Sequence, residues 1–216
     1  MKDVSQKLFE FDNAYRARGI KNLCGVDEAG RGPLAGPVVA GAVIFPEGLC
    51  IPGINDSKKL TAAQRDNLFE LIKGKAVAFS YILADEKEID EFNILGASLR
   101  AMGRAVEKLE PRAEFVLIDG NKKFQTDIQC ETVVMGDGKS LCIAAASIIA
   151  KVVRDRIMDE LDKEYSVYQW ARNKGYPTKE HIMAVLKHGA CPYHRKTFLK
   201  NIDKWEKNDF YNEKTG

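Results

Sequence analysis

Four acids in unusual positions carry the chemical signal of this sequence. Asp27 and Glu28 close a short apolar run, Asp119 closes the continuous run FVLI, and Asp137 sits inside Gly-Asp-Gly. Carboxylates that converge from separate segments repel one another unless cations lie between them. Magnesium and manganese are the matching ions, because they take oxygen ligands, chiefly carboxylates, and keep waters. A pair of such ions roughly 4 Å apart clamps the attacking and leaving oxygens of a phosphodiester displacement. The chemistry indicated is metal-assisted hydrolysis at a phosphate. Single residues also have local alternatives: Asp137 can cap the helix that follows it, and Asp119-Gly120 is a common turn dipeptide. Asp27 and Glu28 have the weakest alternative, because charge at a buried strand end is costly.

The elements around these acids suit that chemistry. Residues 23–26 and 115–118 read as short buried strands, and the crevice of an open α/β sheet lies beyond the carboxyl ends of its strands. Successive strand residues point to opposite faces, so Asp27 and Glu28 cannot both point inward from a regular strand. Either the strand ends between them, as the following glycines suggest, or Glu28 contributes its backbone carbonyl. Residues 37–45 form a Val-rich buried strand, and 76–83 and 131–135 two more. Residues 61–73 and 93–109 have helical spacing; Thr61 and Gln64 hint at a capping box, and the second helix ends before Pro111. Residues 140–164 form a long helix whose first half, LCIAAASIIA, is apolar all round and therefore buried. Residues 1–22 are charged with a weak helical pattern.

Gly30-Arg31-Gly32 follows the first acids directly. Glycines let backbone approach a ligand, and an arginine can pair with a phosphate. The pattern is neither GxGxxG nor a P-loop, so a nucleotide cofactor is not indicated. Residues 165–200 hold seven Lys or Arg against the single acid Glu180, with all three histidines and six aromatic residues. Two readings stand side by side: a phosphate-binding surface with rings for stacking on sugars or bases, or a basic face over a small apolar core. Tyr176, between Gly175 and Pro177, is expected to be exposed on a turn.

The 216 residues carry a net charge of only +2, so clustering of charge matters more than its total. Five cysteines without a CxxC pair read as free thiols in a reducing compartment, not as disulfides or a zinc site. The histidines lack HExxH spacing. The longest weakly polar runs, residues 34–45 and 141–150, fall short of the roughly 20 needed for a membrane span. The expectation is a cytoplasmic protein without membrane contact, monomeric by default.

Taken together, GVDEAGRGPLAGPVVAGAVI (25–44), NDSKKL (55–60), LIDGN (117–121), GDGKSLCIAAASIIAKVVRD (136–155), KGYPTKEH (174–181) and HRKTF (194–198) resemble the ribonuclease HII family. The blocks occur in the family's order and span nearly the whole chain. The resemblance implies a ribonuclease H-like mixed β-sheet flanked by helices, with residues 1–164 as the catalytic core. Residues 165–216 would be a C-terminal helical, nucleic-acid-binding appendage. It implies that Asp27, Glu28, Asp119 and Asp137 hold two Mg²⁺ or Mn²⁺ ions. Gly30, Arg31 and Gly32 would grip the ribonucleotide and its 2′-hydroxyl, the group that distinguishes RNA from DNA locally. Tyr176 would sense the RNA–DNA junction. The implied activity is hydrolysis of the RNA strand of RNA/DNA hybrids, and cutting 5′ to ribonucleotides embedded in duplex DNA, leaving 3′-hydroxyl and 5′-phosphate ends. Rival readings are a DNA-directed nuclease or resolvase of the same fold class, and a non-catalytic hybrid-binding module. The chain departs from the family where Met135 precedes Gly136 in place of the usual lysine, at Gly138, and at Cys191-Pro192-Tyr193. The polar tail shows no convincing clamp-binding peptide.

Overall fold

The computed structural model describes residues 4–200 and 202. Its centre is a five-stranded mixed sheet in the order β3-β2-β1-β4-β5. The strands are β1 (Leu23–Ala29), β2 (Val38–Ile44), β3 (Ala78–Ala84), β4 (Phe115–Asp119) and β5 (Gln129–Val133). β1, β2 and β3 pair antiparallel, whereas β4 joins β1, and β5 joins β4, in parallel. Every residue of β2, VVAGAVI, is buried, as a central strand covered on both faces requires.

Two long helices cover those faces. Cys24, Val26, Ala40 and Ala42 pack with Ala97, Ala101 and Ala105 of α3 (Glu86–Glu107). The opposite face receives α4 (Leu141–Glu164), supported by α1 (Val4–Arg16) and α2 (Ala62–Lys75). Gly25 and Gly41 let α4 approach closely: a Cβ at Gly41 would stand 2.5 Å from the Ala146 carbonyl, and one at Gly25 would collide with the Cys142 backbone. The apolar first half of α4 is therefore buried, as its composition predicts. Asp12, buried on α1, accepts from Cys142 N at 2.9 Å and so ties α1 to the start of α4.

Local signals set the helix boundaries. Thr61 and Gln64 form the full capping box of α2. Ser140, not Asp137, caps α4, its hydroxyl accepting from Ile143 N at 3.2 Å. α3 starts earlier than spacing alone predicts: residues 86–92 already form helix, and Asn93, with φ 57°, breaks it. The Asn93 side chain then accepts from Leu95 N and Gly96 N and restarts the helix.

The segment after α4 contains the short helices α5 (Trp170–Asn173), α6 (Lys179–His188) and α7 (Lys196–Leu199). It packs on Met158 and Leu161 of α4 through Tyr168, Trp170 and Val185. The last dozen residues are polar and expected from the sequence to fray, and they lie outside the described residues. Among the described residues, no helix is long and apolar enough to cross a membrane.

Candidate active site

β1 and β4 are parallel neighbours with Val26 opposite Ile118, so Asp27 and Asp119 come next in line at their carboxyl ends. The strand does not end between Asp27 and Glu28, contrary to the expectation from the glycines; β1 pairs with β2 through Ala29. The two acids therefore leave opposite faces of one strand. Asp27 points to the α4 side, where the nearby Ser147 hydroxyl favours its charged form. The Ser147 hydroxyl also lies 2.9 Å from the Ser57 hydroxyl, in a hydrogen bond that either can donate. Glu28 faces the α3 side, lining a cleft of about 240 Å³ with Asp119, Ser98 and Lys122. Asp119, at the strand tip, lies close enough to both to couple their charges.

Asp137 is brought in by a separate device. Gly136 N donates to Asp119 Oδ1 at 2.6 Å, which draws the short 3-10 turn Gly136–Gly138 onto the end of β4. Lys58 then bridges toward Asp137 at 3.6 Å. It comes from the turn Ser57–Lys59, capped by Asp56.

The electrostatics are those of crowded like charges. Burial, then Glu28 and Asp119, push the Asp27 carboxyl well above the usual range. Burial raises Glu28 and Asp119 adds to it, while Arg31 at 3.3 Å opposes the shift. Burial, Asp56 and Asp119 raise Asp137. Burial disfavours charge on Lys58, yet Asp137, Asp56, Asp27 and Asp119 outweigh it and hold its ammonium above the ordinary lysine value. An all-oxygen set with surplus negative charge fits a hard divalent cation. Among the described residues, no three His, Cys, Asp or Glu side chains form a ready-made cage. Glu28 is engaged with Arg31, Asp137 with Lys58 and Asp119 with the Gly136 amide.

A cleft of about 320 Å³ gathers most of the candidates from the sequence. Asp27, Glu28 and Asp119 line it, and so do Gly30, Arg31, Gly32 and Tyr176. Tyr176 is 41% exposed, as expected, and its ring lies 3.5 Å from where a Gly32 Cβ would be. Lys58, Ser147 and Lys151 also line the cleft, without having been singled out from the sequence. Ser147, Lys151 and Arg154 recur along one face of α4, and such a polar stripe in an apolar helix is the signal that would have found them.

The rings of the C-terminal segment resolve differently. Trp170 is fully buried and stacks on Tyr168 at 5.1 Å; Tyr165 and Tyr193 pack against them. These rings are core, so among them only Tyr176 is placed for stacking. Arg195 is buried too, and Lys174 pairs with Asp159. Arg172, Lys179, Lys187, Lys196 and Lys200 remain exposed.

Two histidines belong to this small core. Trp170 Nε1 can only donate, and it meets His181 Nε2 at 3.0 Å, so His181 carries its proton on Nδ1 and donates to the Tyr176 carbonyl at 2.9 Å. His194 Nε2 stands 3.1 Å from His181 Nε2 and completes the network. Burial lowers His181; burial and then His181 hold His194 down to about 4. Both rings are neutral in the fold at pH 7. Below the ordinary histidine value of about 6.5 the unfolded chain binds protons that the fold refuses. Stability is therefore complete above about pH 6.5 and falls as pH drops toward 4. His194→Gln is expected to flatten this dependence between about pH 6.5 and 5; thermal unfolding midpoints check it, and equal slopes for both proteins would contradict it.

Comparison with known proteins agrees with this architecture. The sequence pattern of ribonuclease HII matches residues 24–202. A ribonuclease HII of Acetivibrio thermocellus is 55% identical over 189 residues, 88% of this chain and 73% of that one. A ribonuclease HII of Endomicrobium trichonymphae is 52% identical over 192 residues, 88% of this chain and 91% of that one. The crystal structure of ribonuclease H2 from Pyrococcus horikoshii superposes with a TM-score of 0.70 at 26% identity, covering 87% of this chain and 99% of that one. The chain belongs to the ribonuclease HII family and is an endonuclease of the ribonuclease H type.

Proposed function

We propose that this enzyme cuts on the 5′ side of ribonucleotides embedded in duplex DNA, and cuts the RNA strand of RNA/DNA hybrids, leaving 3′-hydroxyl and 5′-phosphate ends. One observation carries the reading: a single cleft is lined by three acids, by Gly30-Arg31-Gly32 and by the exposed Tyr176 ring. Asp27, Glu28, Asp119 and Asp137 would hold two Mg²⁺ or Mn²⁺ ions. When bound, such a pair supplies activation of the attacking water and stabilisation of the leaving oxygen. The chain's own residues do the rest. Arg31 and Lys58 offer cationic partners to phosphate oxygens where the acids would otherwise repel them. The backbone of Gly30 and Gly32 allows close approach to the sugar and its 2′-hydroxyl. Tyr176 supplies a ring face at the junction. The exposed lysines and Arg172 of residues 165–200 add phosphate contacts beyond the cleft.

The test is an end-labelled DNA duplex carrying one ribonucleotide, incubated with Mg²⁺, Mn²⁺ or EDTA beside an all-DNA control. Metal-dependent incision 5′ to the ribonucleotide, with the control intact, is the expected outcome. Cutting of the all-DNA duplex would replace this reading with a DNA-directed nuclease. Binding without product under every metal would replace it with a hybrid-binding module.

A further inference from the structure

Outside the cleft, two guanidinium groups are buried side by side, and among the described residues no carboxylate is hydrogen-bonded to either. Arg195 donates through Nη2 to the Gly30 carbonyl at 2.6 Å, through Nη1 to Arg31 O at 3.1 Å, and through Nε and Nη2 to Gly36 O at 2.9 and 2.7 Å. Arg154 donates to Pro37 O at 3.0 Å, to Ala35 O at 3.1 Å and to Lys174 O at 2.9 Å. Burial lowers both below the ordinary arginine value, Arg195 to about 9 with Arg154 adding to the effect. So costly an arrangement persists only where acceptors such as these carbonyls take up the guanidinium N–H groups.

These carbonyls belong to two segments, the Gly30-Arg31-Gly32 loop with its continuation to Pro37, and the turn leading into Tyr176. We infer that Arg154 and Arg195 are positioning residues: they fasten the glycine-arginine-glycine loop and Tyr176 into one rigid reader of the ribonucleotide, setting substrate discrimination without touching substrate. This rests on the function proposed above. Neither arginine lines the cleft. The backbone stitches the same pieces together: Leu34 N donates to Gly175 O at 2.8 Å, Arg195 N to Leu34 O at 2.9 Å, and Gly36 N to Tyr193 O at 2.9 Å. There is no slack at the joints. A Cβ at Gly175 would stand 2.5 Å from the Ala35 carbonyl, and one at Gly30 would strike the Arg154 side chain. The Arg154 guanidinium also lies 5.9 Å from the Tyr176 ring centre, so one side chain touches both halves of the reader. Lysine could not substitute, because one ammonium cannot reach the three carbonyls that the Arg195 fork spans.

The experiment compares Arg154→Lys and Arg195→Lys with the unaltered enzyme, taking the ratio of kcat/KM on a single-ribonucleotide duplex to that on a long RNA/DNA hybrid. A misplacement of about 1 Å can cost on the order of 100-fold, so the ratio is expected to fall roughly tenfold or more. In a Tyr176→Ala background the same changes are expected to move the ratio little, because the reader is already broken. Equal losses on both substrates, or effects that add in full to Tyr176→Ala, would overturn the inference and leave a merely structural role. Hydrogen exchange on the unaltered protein tests the rigid unit that the inference requires even if neither variant folds. The Leu34, Gly36 and Arg195 amides are expected to share one slow rate, and fast independent exchange would overturn the rigid unit. Failure of the unaltered enzyme on the single-ribonucleotide duplex would instead remove the proposed function, and exchange alone would then judge the strut.

Discussion

Asp119→Asn is expected to abolish metal-dependent cleavage while leaving the fold as stable as before or more so. Asparagine keeps the shape of the side chain and an oxygen to accept the Gly136 N–H, now bonded at 2.6 Å. The turn that carries Asp137 therefore stays in place. What is lost is one negative charge from a cluster in which Asp119 raises the proton affinity of Asp27, Glu28 and Asp137. Relief of that repulsion does not lower the melting temperature. An ion's charge stabilisation is worth several kcal/mol, and losing about 4 kcal/mol corresponds to roughly a thousandfold in rate. Incision rate and thermal unfolding, measured on the same preparation, check both halves. Near-normal cleavage would sink the assignment of the acids, and loss of rate together with unfolding would mean that Asp119 is structural.

Tyr176→Ala is expected to act on choice of substrate more than on turnover. The ring is exposed and lies against Gly32, whereas its backbone carbonyl is held by His181 and survives the substitution. Stacking of a base on an aromatic ring is worth about 1–3 kcal/mol, so the ratio of kcat/KM on a single embedded ribonucleotide to that on a long hybrid is expected to fall roughly 5- to 150-fold. Turnover on the hybrid is expected to stay within a few-fold. Tyr176→Phe separates the parts of the side chain: an unchanged ratio assigns the effect to the ring face, and a lowered ratio assigns it to the hydroxyl. An equal loss on both substrates for Tyr176→Ala would make Tyr176 a general binding contact.

Much of the candidate site was legible because its signals are local. An apolar run that stops at an acid marks a strand tip, as Asp119 does at the end of β4; the same signal draws notice to Asp27, although β1 runs on to Ala29. The capping box at Thr61 and the small residues of α4 were legible for the same reason: cap and packing face depend on neighbours three or four positions away. Asn93 shows the limit of that logic, since its side chain restarts a helix that spacing alone appeared to begin.

The acids, the glycine-arginine-glycine turn, the strand and helix types and the exposed turn of Tyr176 followed from chemistry within a few residues. The continuation of β1 through Glu28 did not, because β2 dictates it from across a hairpin. Nor did the burial of Trp170 and Tyr168, since such rings serve equally well in a core and on a binding surface. Arg154 and Arg195 were the least legible. Apart from Lys174, 20 positions from Arg154, their partners lie 117 to 165 positions away, and an arginine bound to carbonyls looks, as a letter in a string, like one bound to water. Long-range hydrogen bonding and burial exist only once the sheet has closed under α4, and those two effects turn separately readable pieces into one site.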